Sequence, residues 1–354
     1  MTSYLTASFP GLGGSVKLMP EDFIVEELPL YLPTGAGEHL YLWIEKRDVS
    51  GERLLEHLSR RLGVPRCDLG MAGLKDRRAI TRQFVSVPQS CEGRLAEING
   101  DGVQLLSVTR HRNKLRTGHL AGNRFDVLIR NVNREAAASL PALLDELRQV
   151  GFPNRYGEQR FGRDGETLTL GLALLRGEQS PRSIPPSRRK FLLRLALSSV
   201  QSQLFNTVLS ERLADRLLHR VLPGDVMQVV ASGGPFVVED AEREQRRLDE
   251  RETVLTGPMF GPKMKLPRGE PAEREARVLS GSGLSAASFE RFSQLLPGTR
   301  RPLLVWPADV EGELTSEGVR LRFQLPPGAY ATALLAEICK LPLPAVEIPA
   351  EEPD

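Results

Sequence analysis

Three observations predict an α+β fold for this chain. Residues 125–130 and 319–325 alternate apolar and polar side chains with the period of a half-buried strand, although they lie far apart in sequence. Helical patterns lie between and after them, at about 135–149, 189–221 and 331–340. Strands and helices follow one another too irregularly for a doubly wound sheet, which favours the α+β class.

Elements nearer the N-terminus carry clear local signals. Residues 39–46 have the composition of a largely buried strand. Ser50 then precedes a helix with leucines at 54, 55, 58 and 62 on one face, and Gly63 ends it. A further strand is predicted to begin at Gln83.

The middle of the chain differs from the rest in amino-acid composition, which predicts a second domain. At 354 residues the chain is too long for one ordinary small domain. Residues 151–302 are rich in glycine, proline and charge, and strand-like sequence lies on both sides of them. We therefore expect residues 155–302 to be a domain inserted into a first domain that comprises 1–154 and 303–354.

The composition excludes several classes of function. A net charge of +2 means that any polyanionic partner must meet a local basic patch. The three cysteines are scattered, the five histidines form no ligand-like pair, and no phosphate-binding loop occurs, so we expect neither a metal nor a cofactor. No apolar run approaches membrane-spanning length, and the N-terminus does not resemble a signal peptide. The expectation is a cytoplasmic protein.

One acidic residue, Asp76, stands among cations. The neighbouring cations are Lys75, Arg77, Arg78 and Arg82, with Arg66 upstream. Positive charges close to a carboxylate favour its ionised form, and such an acid can act as a nucleophile or base where a polyanion binds. On charge pattern alone, a solvated turn leading into the strand at Gln83 is the simpler explanation of the segment.

Two basic clusters are candidates for contact with nucleic acid. The first comprises Arg110, His111, Arg112, Lys114, Arg116, His119, Arg124 and Arg130. The second lies in the predicted insertion and comprises Arg182, Arg188, Arg189, Lys190 and Arg194. Phosphate contacts use such side chains together with backbone amides, but a solvated hairpin or helix face would look the same.

A third candidate contact combines aromatic faces with a guanidinium. Tyr156, Arg160 and Phe161 offer the mixture that holds an unstacked base. An isolated aromatic residue is more often part of a core.

Seven motifs resemble the TruD family of tRNA pseudouridine synthases. They lie at 20–27 (PEDFIVEE), 37–40 (GEHL), 72–83 (AGLKDRRAITRQ), 114–118 (KLRTG), 122–125 (GNRF), 157–162 (GEQRFG) and 325–332 (LPPGAYAT). The resemblance runs in order from about residue 15 to 340. It implies a pseudouridine-synthase-type fold, a mixed and mostly antiparallel sheet flanked by helices, with an inserted domain. It also implies isomerisation of uridine to pseudouridine without a cofactor, at position 13 of tRNA in bacterial members.

The resemblance also implies roles for individual residues. Asp76 matches the catalytic aspartate, and Phe23, Asn123 and Tyr330 match positions at the substrate base. Tyr330 is a departure where relatives can carry phenylalanine. Lys17 is a weaker candidate, as a partner of Asp76, because an exposed strand lysine would look the same.

Two other classes of function remain at this stage. A non-catalytic RNA-binding protein would share both basic clusters. A metal-dependent nuclease would need several clustered acids, and near Asp76 the sequence offers only Asp68. With tRNA as the partner, we expect a monomer that does not contact membranes.

Overall fold

The computed structural model describes residues 4–341; residues 1–3 and 342–354, the latter part of the predicted first domain, lie outside the described residues. The strands are β1 (Gly13–Ser15), β2 (Phe23–Pro29), β3 (His39–Arg47), β4 (Gly70–Met71), β5 (Ile80–Pro88), β6 (Val103–His111), β7 (Leu120–Val132), β8 (Phe152–Pro153), β9 (Val226–Val229), β10 (Pro235–Val237), β11 (Thr253–Met259), β12 (Thr299–Pro302), β13 (Leu304–Val305), β14 (Ala308–Leu314) and β15 (Gly318–Leu325). The helices are α1 (Gly51–Leu62), α2 (Arg134–Ala137), α3 (Leu140–Val150), α4 (Glu166–Arg176), α5 (Pro186–Ala214), α6 (Ala241–Asp249), α7 (Gly269–Gly281), α8 (Ala286–Glu290) and α9 (Ala331–Cys339).

A mixed sheet of nine strands, counted within residues 4–341, organises the fold. Its strand order is β14-β15-β7-β2-β5-β3-β6, with β1 added to β7 and β4 added to β5. The β2–β5 pair is parallel, and the other recorded pairs of this sheet are antiparallel. The predicted α+β class, with a mixed and mostly antiparallel sheet, is confirmed.

The two alternating segments that are distant in sequence are neighbours in this sheet. Phe125 of β7 lies opposite Phe323 of β15, and Val127 lies opposite Leu321. The strand at 39–46 is β3, and the helix after Ser50 is α1. The Ser50 hydroxyl accepts a hydrogen bond from the amide of Arg53, which caps the helix start.

Three predicted boundaries were wrong, each for a physical reason. The helix expected at 135–149 is two helices, because Pro141 lacks an amide hydrogen and starts α3 afresh. The helix expected at 189–221 ends at residue 214, where buried Arg212 binds Asp225 and the carbonyl of Leu217 and turns the chain back. Strand β5 begins at Ile80 rather than Gln83, because it pairs with β2 there.

Helices cover one face of the sheet in two separate places. Leucines of α1 pack on inward residues of β3 and β5, and leucines of α3 and α9 pack on inward residues of β7 and β15. These two apolar clusters lie on the same face of the sheet. Residues that are opposite each other on neighbouring strands point to the same face, and Val25 of β2 is opposite both Thr81 of β5 and Phe125 of β7. The sheet centre, at β2 and β5, therefore lies between two helical layers.

Residues 166–302 form helices α4 to α8 and a second, antiparallel sheet with the order β10-β9-β11-β12. The chain leaves and returns at one place, since Phe152 and Pro153 of β8 pair with Val305 and Leu304 of β13. The division into two domains stays a prediction. Among the helices of residues 4–341, none has the length and apolar character needed to cross a membrane.

Candidate active site

Asp76 lies in the loop 72–79, which joins β4 to β5 at the centre of the helix-covered sheet face. The end of this loop is a tight turn in which the amide of Ala79 donates to the carbonyl of Arg77 at 2.8 Å. The amide of Asp48, just after β3, donates to the carbonyl of Ala79 at 3.1 Å. The end of the loop that carries Asp76 is thus attached to the end of β3.

The partner of the Asp76 carboxylate is Lys17. Its Nζ lies 2.7 Å from Asp76 Oδ1 and 3.9 Å from the centre of the Phe23 ring. The Lys17 side chain is buried, whereas that of Asp76 is 36% exposed. Lys17 has φ +60°, a conformation that costs a non-glycine residue about 1–2 kcal/mol. The pair therefore orients one carboxylate oxygen and leaves Asp76 accessible.

Most of the cations close to Asp76 in sequence bind other carboxylates. Four of the five bind other carboxylates, in the pairs Lys75–Glu27 at 2.8 Å, Arg77–Asp48 at 3.8 Å, Arg82–Glu45 at 2.8 Å and Arg66–Glu52 at 3.2 Å. Arg82, for example, points to the opposite face of the sheet from its strand neighbours Thr81 and Gln83, because side chains alternate along a strand. Proximity in sequence did not determine which charges meet.

A second lysine, Lys46, holds the backbone of Asp76. Lys46 is fully buried at the end of β3, and its Nζ donates to the carbonyl of Asp76 at 2.7 Å and to that of Val49 at 2.6 Å. Burial lowers the pKa of Lys46 to about 8, although the charge of Asp76 opposes this effect. Lys46 therefore fixes the loop from below, while Lys17 fixes the side chain.

Polar side chains form a strip across the sheet between the two apolar clusters. Lys46 is opposite Thr81, and Glu27 is opposite Asn123. Thr81 and Gln83 are fully buried. Within residues 4–341, Thr81 Oγ1, Gln83 Oε1 and Asn123 Oδ1 have no hydrogen-bond partner. Buried polar atoms are normally paired, so these unpaired acceptors and this hydroxyl set the strip apart from the apolar clusters on both sides.

Sequence analysis missed Lys46, Thr81, Gln83 and Glu27, although a signal was present. Each occupies an inward position of a strand that also has apolar inward residues, as in the run of buried residues 40, 42, 44 and 46 of β3. A polar residue at a core position of an alternating pattern is unusual and carries information.

Phe23 and Asn123 both lie on this face. Phe23 is only 1% exposed and packs edge-on against Phe125, with ring centres 6.0 Å apart, beneath the ammonium of Lys17. Asn123 lies where β7 meets the end of β15, and glycine precedes it because a Cβ at Gly122 would collide with the carbonyl of Leu325. Phe23 thus forms part of the floor, and Asn123 lies at the rim of the strip.

Tyr330 belongs to an aromatic cluster at the junction with residues 155–302. It precedes α9, is 41% exposed, and lies 5.7 Å from Tyr156 between ring centres. The Arg301 guanidinium lies 4.2 Å from the Tyr156 ring centre and 5.6 Å from that of Tyr330. Arg160 is 5.7 Å from the Tyr156 ring centre, so these two residues of the predicted group lie together, and Arg301 is a member that sequence analysis missed. The place of Phe161 in the group stays a prediction.

The first basic cluster is divided by its partners. Arg110 binds Glu92 at 2.7 Å, Arg124 binds Glu26 at 3.0 Å, and Arg130 binds Asp22 at 2.8 Å. The remaining cations of the cluster lie in the loop between β6 and β7. In the second cluster, Arg182, Arg188, Lys190 and Arg194 are exposed around the start of α5. Within residues 4–341, no three histidine, cysteine or acidic side chains are grouped so that they could hold a metal ion.

Comparisons with known proteins show which family the chain resembles throughout its length. The family model described as tRNA pseudouridine synthase D (TruD) matches residues 1–181 and 187–338. The chain is 43% identical over 353 residues to tRNA pseudouridine synthase D of Anaeromyxobacter dehalogenans strain 2CP-C, which covers 99% of both chains. It is 44% identical over 339 residues to a tRNA pseudouridine synthase D of Thermus thermophilus, covering 96% of this chain and 92% of the relative. The crystal structure of a putative tRNA pseudouridine synthase D from Methanosarcina mazei superimposes with a TM-score of 0.76 at 28% identity and covers 96% of both chains.

Proposed function

Because the chain belongs to the tRNA pseudouridine synthase D (TruD) family, whose members convert uridine to pseudouridine in tRNA, we propose that Asp76 acts directly on the target uridine. One observation carries the proposal: Asp76 is an accessible carboxylate whose Oδ1 is held by Lys17 at 2.7 Å. The target is uridine 13 of tRNA, as the family resemblance implies.

The chemistry needs one carboxylate and no water. The N1–C1′ bond of uridine breaks, the uracil turns, and C5 bonds to C1′; the proton lost from C5 is balanced by one gained at N1. Asp76 can attack the sugar or the base, or remove the C2′ proton, and each of these routes requires its carboxylate to touch the nucleoside. A glycoside hydrolase instead needs a second carboxylate to activate water.

The polar strip supports a base-binding pocket beside Asp76. A uridine can react only after it leaves its stack, so its base must enter a cavity and be recognised there. Asn123 Oδ1 is a buried acceptor without a partner in residues 4–341, and the uracil N3–H is the donor that it would accept. Phe23 supports Lys17 from below, and Tyr330 forms a wall against which the base stacks.

We extend the proposal to the domain organisation. Residues 155–302 act as an inserted domain that closes on the tRNA, and residues 1–154 and 303–354 form the catalytic domain. The cluster of Tyr156, Arg301 and Tyr330 supports this role, because it connects both ends of the insertion to the residue before α9. The basic residues around the start of α5 would then meet tRNA phosphates.

The test is Asp76→Asn, assayed by position-resolved pseudouridine mapping on unmodified tRNA. We expect tRNA binding to persist while pseudouridine formation is abolished, since the amide keeps the shape but lacks the charge. The matched control is Asp249→Asn, which removes one exposed carboxylate at the end of α6 and should leave activity unchanged. Residual turnover by Asp76→Asn would refute the assignment.

A further inference from the structure

A cavity of about 700 Å³ lies where the start of β3 meets the end of β6 and the loop between β6 and β7. Its polar lining comes mainly from three imidazoles, those of His39, His111 and His119, and three cations, Arg112, Lys114 and Arg116. We call these six residues the imidazole–cation pocket. Its lining contains no acidic residue. A concave surface lined by one sign of charge concentrates the electric field and attracts anions.

The cations of this pocket differ from the others in the same basic segment. Arg110, Arg124 and Arg130 are each bound to a carboxylate. In contrast, Arg112, Lys114 and Arg116 have no carboxylate within 4.0 Å among residues 4–341. Lys114 instead donates to the carbonyl of Cys67, which orients it without neutralising it. The positive charge of the segment is therefore available at the pocket.

Hydrogen bonds within the protein prepare an imidazole to donate to an anion. The amide of Thr34 donates to His111 Nδ1 at 3.3 Å, so neutral His111 carries its proton on Nε2. Burial, with the charge of Arg112 beside it, lowers the pKa of His111 and favours this neutral form. Tyr31 stacks on His111 with ring centres 5.2 Å apart and hydrogen-bonds His119 at 2.7 Å. Both rings are therefore held in place.

The pocket is separated from Asp76 but connected to its loop. His39 begins β3 and Lys46, which holds Asp76, is seven residues further on, a distance of about 23 Å at ~3.3 Å per residue. His39 also points to the opposite face from Lys46, because the two positions differ by an odd number. The loop 112–119 reaches the segment before Asp76, where the amide of Gly118 donates to the carbonyl of Ala72 at 2.8 Å.

We propose that the imidazole–cation pocket binds one nucleotide of the RNA substrate, through its phosphate, on the other side of the sheet from the reacting uridine. The volume admits a nucleotide, and guanidinium, ammonium and imidazole N–H groups match phosphate oxygens. The proposal rests on the function proposed above, since the bound strand is the one that presents uridine to Asp76. The pocket contributes affinity and register, and takes no part in bond making.

The test measures tRNA affinity as a function of salt for Arg112→Gln/Arg116→Gln. The slope of log K against log salt is negative, and losing one phosphate contact makes it shallower by about 0.7–0.9. We therefore expect a change of about that size between about 50 and about 200 mM salt. The rate at saturating tRNA should stay within about twofold of the wild type, as the pocket is remote from the chemistry. The matched control is Arg110→Gln/Arg124→Gln, whose cations are already neutralised and whose loss should change the slope little.

A second arm locates the contact on the RNA. Single uncharged methylphosphonate linkages are introduced along the tRNA, and one of them should weaken binding to the wild type but not to the double variant. An unchanged slope, an equal loss in the control pair, or the absence of such a linkage would each overturn the proposal. Failure of the proposed function is distinguishable, because Asp76→Asn would then still form pseudouridine while the slope difference between the pocket variants and their control persisted.

Discussion

Lys46→Met tests whether the backbone of Asp76 must be held from beneath. The wild-type ammonium donates to the carbonyls of Asp76 and Val49, and methionine fills a similar volume without a donor. Leaving two buried carbonyls unpaired costs about 2–6 kcal/mol in total. Methionine also avoids the cost of burying an ammonium. The lowering of the Lys46 pKa from 10.5 to about 8 corresponds to a cost of about 3 kcal/mol. The net loss of folding free energy should therefore be below about 3 kcal/mol.

The effect on the reaction should be larger than the effect on stability. Displacing a reacting group by about 1 Å can cost about 100-fold in rate, so we expect the single-turnover rate to fall by about that factor while the tRNA Kd changes by less than about threefold. The assay is release of tritium from C5 of labelled uridine in tRNA, because that proton is lost when C5 bonds to C1′. Lys265→Met, at an exposed position, is the control. A folded Lys46→Met variant with a rate within about threefold of the wild type would refute the reasoning.

Three further predictions concern pH, a buried ion pair and the base pocket. Lys46 keeps its proton up to about pH 10.5 in the unfolded chain but releases it near pH 8 in the folded protein, where its pKa is lowered. The stability of the wild type relative to Lys46→Met should therefore rise between these pH values, by at most about 3 kcal/mol. Urea denaturation of both proteins across this range measures the difference in stability, and a constant difference contradicts the prediction. Arg300→Met leaves buried Glu275, bound at 2.8 Å in the wild type, without its cation and should cost about 3–5 kcal/mol near pH 7. Because burial raises the pKa of Glu275, this loss of stability should be smaller near pH 5 than near pH 7. An equal loss at both pH values, measured by urea denaturation, would show that Glu275 does not carry an uncompensated charge in the variant. Tyr330→Ala should lower kcat/KM by about 5- to 150-fold through lost stacking while Tyr330→Phe stays near wild type; equal kinetics for the two variants would remove Tyr330 from the pocket.

Local signals in the sequence were sufficient for many elements and for the family. The alternation in β7 and β15, and the serine and glycine at the ends of α1, depend on neighbouring residues alone and were predicted correctly. The motif around Asp76 was also evident from the sequence. Element ends were less certain, because the end of α5 depends on a bond from Arg212 to Asp225, in a segment beyond the helix.

The sequence by itself determined the α+β class, the family and the acid at position 76, because periodicity, capping and ordered motifs are properties of consecutive residues. Only the tertiary structure decided which charges meet: Asp76 binds Lys17, 59 positions away, while four of the cations near it in sequence bind other acids. The unpaired polar strip and the imidazole–cation pocket likewise arise from adjacent strands and loops. Electrostatic and hydrogen-bond energies depend on distances in space, and those are fixed only when the sheet has formed.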